Sequence, residues 1–247
     1  MFEPSEFFDF LKRPRYQFLE RKETHILRTA IKIYLLILLF IGLVNLINIT
    51  ILHAFLTLPI DETLVVPDSL KEHLWTYIIL VVIIGPVMEE VIFRLSLIFE
   101  PDQIALSIST LIALIVHKLS IGVVSLVSFF VIYAIIFRFA LIHKTVFLKF
   151  WNKNFKYIFY FLSLTFGLVH ISNYKFIEVS QYLIAPILIL PQLAIGFVLS
   201  FTRLYYKRGF LICIIFHVLM NMMSVSISLL QYSPKWIGLI YDFPRLY

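Results

Sequence analysis

Apolar runs long enough to cross a lipid bilayer recur along the whole chain, at residues 31–58, 73–99, 119–142, 157–171, 181–205 and 210–230. A run of about 20 such residues crosses the hydrocarbon core only as a helix, because no water is there to satisfy open backbone groups. The runs therefore demand an all-α fold, a polytopic transmembrane helical bundle. Residues 104–116 form a further apolar run, short for a crossing and readable as re-entrant, and with it the expectation is about seven spans. Residues 1–30 mix aromatics with charges of both signs and read as a cytoplasmic, interfacial segment. Residues 31–230 form one transmembrane domain and 231–247 a C-terminal tail. Charged residues are only 15% of the 247, too few to clothe a separate soluble domain.

The charges present report on topology. Lys12, Arg13, Arg15, Arg21, Lys22 and Arg28 lie in the tail, Lys144, Lys149, Lys153 and Lys156 after the run at 119–142, and Arg203, Lys207 and Arg208 before the last. All three groups belong on the cytoplasmic side by the positive-inside rule, which puts the N-terminus inside and the acidic loop with Asp61, Glu62, Asp68 and Glu72 outside. The net charge of +6 is accounted for this way, so membrane lipids are expected partners and nucleic acid is not. The single cysteine, Cys213, rules out a disulfide framework and a cysteine-held metal cluster. Richness in Ile, Phe, Lys and Asn suggests an integral protein of a bacterial cell membrane.

Against that background the segment Gly85-Pro-Val-Met-Glu-Glu-Val-Ile-Phe-Arg94 stands out. Each ionisable group at the centre of a span costs about 2.5–3.5 kcal/mol on insertion scales, so three of them in ten residues require a reason. Glu90 and Arg94, four apart, share a helix face and can pair; Glu89 points about 100° away. Pro86 removes one helical donor and leaves a backbone acceptor open nearby. Two later runs add Phe166 with His170 and His217 with Asn221, each pair again four apart. A rise of about 1.5 Å per residue places Glu89, His217 and Asn221 at one depth, with His170 close to it. Asn45, Asn48 and His53 read instead as partners in helix packing.

Such a set has a definite chemistry. Glu89 is suited to take a proton from water and return it to a leaving amine, and His170 to orient the same water. His217 and Asn221 can donate hydrogen bonds to the oxyanion of a tetrahedral intermediate. The same residues fit a second reading, in which His170, His217 and Glu89 bind zinc and the metal activates the water. The chain has no His-Glu-x-x-His, no Gly-x-Ser-Gly, and no aspartate inside an apolar run, which excludes the corresponding zinc, serine and aspartyl intramembrane proteases.

Taken in order on successive membrane segments, Glu89-Glu90-x-x-x-Arg94, Phe166-x-x-x-His170 and His217-x-x-x-Asn221 resemble the three motifs of the CPBP family, the CAAX protease and bacteriocin-processing enzymes also called Abi proteins. The resemblance covers roughly residues 75 to 230 and rests on three ordered motifs together. It implies an intramembrane endopeptidase acting on a membrane-associated peptide or protein. In its terms Glu89 and His170 activate water, while His217 and Asn221 form the oxyanion hole, with no cofactor. Zinc dependence remains the alternative, although asparagine is a poor zinc ligand. Leu95 stands where the family often has glycine. Two non-peptidase readings accompany it: a membrane scaffold or bacteriocin-immunity protein that does no chemistry, and a proton-coupled transporter using Glu89 and Glu90 as a relay.

Overall fold

The computed structural model describes residues 4–15, 25–55, 74–119, 122–174, 182 and 185–231. The acidic loop after the first span, the tail beyond residue 231 and the side chains of Asn45, Asn48 and His53 lie outside the described residues. Among the described residues every element is helical. A short helix α1 (Pro4–Lys12) precedes α2 (Ile26–Phe55), and α3 (Leu74–Ile79) continues through a π-helical turn, Leu80–Ile84, into α4 (Gly85–Arg94). After a 3-10 turn come α5 (Pro101–Leu119), α6 (Gly122–Ile142) and α7 (Lys144–Val169), then a second 3-10 turn at His170–Asn173. The last described elements are α8 (Ala185–Leu188), α9 (Leu190–Tyr205) and α10 (Gly209–Gln231).

Among the described residues, four helical stretches are long and apolar enough to cross a membrane: Pro101–Leu119, Gly122–Ile142, Lys144–Asn173 and Gly209–Ile227. They define an all-helical membrane bundle, while the expected count of about seven is not established. The run at 104–116, short by sequence, gains its ends from Pro101, a good first helical residue, and becomes a 19-residue helix. The run at 73–99 is divided by the π turn, and the run at 181–205 keeps only 16 residues in α9, about 24 Å against a core of about 30 Å. The lysines after the run at 119–142 do not form a loop. Lys149, Lys153 and Lys156 occupy the exposed early turns of α7, where lysine stems extend a helix as readily as apolar residues do.

Exposure agrees with a lipid surround. On α6 only Ala140 is buried, and Val123, Leu126, Phe130, Ile135 and Phe139 all face outward, an apolar coat that suits lipid chains. The interior forms where α2, α4, α7, α9 and α10 meet. Ala30, Ile33, Ile37 and Ile41 make a narrow stripe along α2 that packs with Ile212, Phe216 and Met220 of α10 and with Leu199 of α9. Below this core α1 is pinned to the bundle: Phe7 meets Phe201 and Phe10 meets Phe159 edge-on, Tyr205 donates to the Glu6 carboxylate, and Tyr160 to the Leu11 carbonyl.

The α7–α9 crossing sets the site's geometry. Ser163 on α7 faces Gly196 and Ser200 on α9, and Gly167, four residues on, faces Leu193; small residues four apart on both partners let the backbones approach closely. A Cβ on Gly196 would lie 2.6 Å from the main-chain oxygen of Ser163 and 3.1 Å from the Phe166 ring. Gly196→Ala is therefore expected to destabilise the protein by about 1–2 kcal/mol, since a backbone oxygen cannot yield and overpacking outweighs the gain in helix propensity. The check is a lower thermal midpoint of the purified protein in detergent.

Candidate active site

Glu90 and Arg94 pair within α4, Arg94 Nε lying 3.1 Å from Glu90 Oε2 with both side chains wholly buried. The other Glu90 oxygen lies 2.9 Å from Nδ1 of His217 on α10. Arg94 also donates through Nη1 to Ser200 of α9 at 3.2 Å, and Ser163 of α7 donates to the same hydroxyl at 2.8 Å. The guanidinium carbon sits 4.3 Å from the centre of the Phe166 ring, so Nη2, which has no hydrogen-bond partner, is covered by an aromatic face that attracts a cation. Phe166 is the hub of this packing: it meets Phe93 edge-on and touches both imidazoles, with centroids 5.0 Å from His170 and 5.6 Å from His217.

Glu89 points the other way from Glu90, as its place on the helix requires. It remains 32% exposed, and its Oε2 lies 3.6 Å from Nε2 of His170 and 3.8 Å from Nε2 of His217. Three groups from α4, the end of α7 and α10 thus converge. The hydrogen bonds on the far side of each ring decide what they offer. His170 Nδ1 lies 2.7 Å from the Phe166 carbonyl, which only accepts, so Nδ1 carries the proton and Nε2 of the neutral ring presents a lone pair. The Glu90 carboxylate imposes the same on neutral His217. Two lone pairs and a carboxylate oxygen that has no hydrogen-bond donor therefore face one point, a receptor for a species with protons to give.

Asn221 is placed differently from its neighbours. In the π turn the Gly85 amide bonds the carbonyl of Leu80, five residues back. The next donor in that register would be Pro86, which has none, so the orphan carbonyl is that of Val81, not Val82 as an unbroken α-helix would give. Asn221 Nδ2 donates to it at 2.8 Å. One amide proton of Asn221 is thereby spent on the backbone, and the second is free for a ligand. Asn221→Leu is expected to cost about 1–3 kcal/mol, the penalty for an unsatisfied carbonyl. Faster amide hydrogen exchange across Leu80–Ile84 would check it.

Five of the six residues singled out by sequence, Glu89, Glu90, Arg94, His170 and His217, are linked by contacts of 3.8 Å or less. Asn221 stands one turn after His217 on the same helix, joined to the π turn instead. Ser163 and Ser200 were not singled out, although small residues four apart in two spans signal a close crossing. Lys175 and Glu178, in the segment just after His170, lie outside the described residues. The donor chemistry of Glu89, His170 and His217 is that of a zinc site, but no group of His, Cys, Asp or Glu among the described residues is arranged to hold a metal ion.

A helical membrane bundle with a buried carboxylate–imidazole centre is a narrow class, and comparison with known families narrows it further. Residues 135–223 match the family described as Rce1-like, type II CAAX prenyl endopeptidase Rce1-like, so over that segment, about a third of the chain, the protein is similar to that family. The match takes in Phe166, His170, His217 and Asn221 but stops short of the Glu89 helix, which the contacts above tie to it. No curated protein and no solved structure matched the chain.

Proposed function

We propose that this protein is an intramembrane endopeptidase that hydrolyses a peptide bond of a membrane-associated peptide or protein through a water activated by Glu89. The observation that carries the reading is the convergence of Glu89 Oε2 with the Nε2 atoms of His170 and His217 at 3.6 and 3.8 Å. A water brought to that point is held by its own protons, which leaves an oxygen lone pair to attack a carbonyl carbon. One proton passes to Glu89 as the C–O bond forms. The oxyanion is met by the free N–H of Asn221 and, once the His217 ring has taken a second proton from solvent, by its Nε2–H. Glu90, at 2.9 Å from Nδ1, is the counter-charge of that imidazolium. Collapse breaks the C–N bond, and the proton on Glu89 goes to the departing amine.

The half-exposed surroundings favour a substrate that arrives through lipid. Leu168, Val169 and Met222, close in sequence to His170 and Asn221, face outward, and apolar residues at a site's rim exclude hydrated chains. The type II CAAX prenyl endopeptidases named by the family match make a lipid-bearing peptide the first substrate to try. Incubation of the reconstituted protein with membrane-anchored peptides, followed by mass spectrometry in 18O-water, tests the reading. One labelled oxygen is expected in a single new C-terminus. Unchanged peptides throughout would favour a scaffold that keeps the fold without the chemistry.

A further inference from the structure

The positive-inside reading treats Arg203 as a cation that fixes the cytoplasmic end of a span. Its position in the bundle asks for more. Arg203 stands in the last turn of α9 and is 5% exposed, a depth at which a guanidinium needs partners. Its Nε donates to the main-chain carbonyl of Arg94 at 3.2 Å, and its Nη2 to Oε1 of Gln103 in the first turn of α5 at 2.7 Å. The guanidinium also lies 5.6 Å from the ring centre of Phe210, at the start of α10.

Arg94 is the last residue of α4 and the cap of the 3-10 turn Leu95–Leu97, so its carbonyl, which opens that turn, is where the α-helical ladder stops. The next four residues tighten into a 3-10 turn and an extended residue, Ile98. Arg203 Nε is a donor to that carbonyl from another helix, and it ties the end of α4, with the Arg94 side chain, to α9. Ser200 and Arg203 are three apart and share a face of α9. One holds the Arg94 guanidinium and the other holds the Arg94 carbonyl. From there the contacts run through Glu90 to His217.

We infer that Arg203 is a positioning residue: it clamps the carboxyl end of α4 so that Arg94 and Glu90 hold the His217 imidazole in one tautomer against Glu89. The inference rests on the peptidase reading for its kinetic consequences but not for its geometry. A role in topology needs only a positive charge, which lysine supplies. The clamp needs two donors in a fixed fork, which lysine does not supply.

Arg203→Lys therefore separates the two roles. The clamp predicts normal membrane insertion and a kcat lowered about tenfold or more with KM changed less than about twofold, because Arg203 acts beneath the site and not on substrate. The 15N ring signals of His217, assigned by their loss in His217→Gln, are expected to change from one Nδ1-protonated form to a mixture. Gln103→Leu, which removes the far anchor and keeps the arginine, is expected to act in the same direction with a smaller effect, and serves if Arg203→Lys folds poorly. Wild-type kcat and an unaltered His217 spectrum in both variants would overturn the inference. If the wild type cleaves nothing, the peptidase reading falls while the spectra still decide the clamp.

Discussion

Glu89→Gln is expected to leave a folded protein whose peptide hydrolysis has fallen by at least about a thousandfold. General-base catalysis contributes about 10²–10⁴ in rate, and the amide neither accepts the water's proton nor returns one to the amine. Folding is expected to survive because the Glu89 side chain is a third exposed, and its Oε2 accepts no hydrogen bond within the bundle. Gln fills the same volume, and its NH2 group adds a donor toward the two Nε2 lone pairs. Cleavage rates and the thermal midpoint, measured on one preparation, distinguish lost chemistry from lost structure.

Arg94→Met is expected to have the largest effect on stability, about 3–5 kcal/mol, the cost of leaving a buried charge without its partner. Glu90 has no water to turn to, its side chain being wholly buried, and only His217 would remain to balance it. The double variant Glu90→Leu with Arg94→Met is expected to recover much of that loss, since a buried pair replaced by apolar groups is often neutral. It is not expected to recover activity, because the His217 Nδ1 proton would have lost its acceptor. Thermal midpoints of the single and double variants form a cycle that reads the coupling directly. A single variant as stable as the wild type would remove the pair from the structural account.

The parts of the site carried by helical spacing were legible in the sequence. Residues four apart fall on one face whatever surrounds them, and so Glu90 meets Arg94, with Glu89 turned away. Depth counted from span ends placed Glu89, His170 and His217 near one level, and the contacts between them show that their helices also meet. What spacing does not carry was not legible. The π turn at Leu80–Ile84 shifts the register by one residue, and Asn221 bonds Val81 in consequence; a pattern read at 3.6 residues per turn cannot show this. The start of α7 was hidden for another reason: lysines signal polarity, and polarity signals a loop only when no helix carries it out of the membrane. Arg203 reads in the sequence as a charge that marks the cytoplasmic end of a span, and its partners, which come from two other helices far away in sequence, have no trace in that pattern.

The central claim is that Glu89, with the two imidazoles it faces, is where water is activated. It is tested most directly by purifying the protein without added metal, measuring its bound zinc, and following peptide cleavage in wild type and Glu89→Gln with and without a chelator. The account predicts that wild-type cleavage persists under chelation and is absent from the variant under every condition. Cleavage by Glu89→Gln at the wild-type rate would contradict it, and stoichiometric zinc whose removal stops the wild type would transfer the activation of water from the glutamate to the metal.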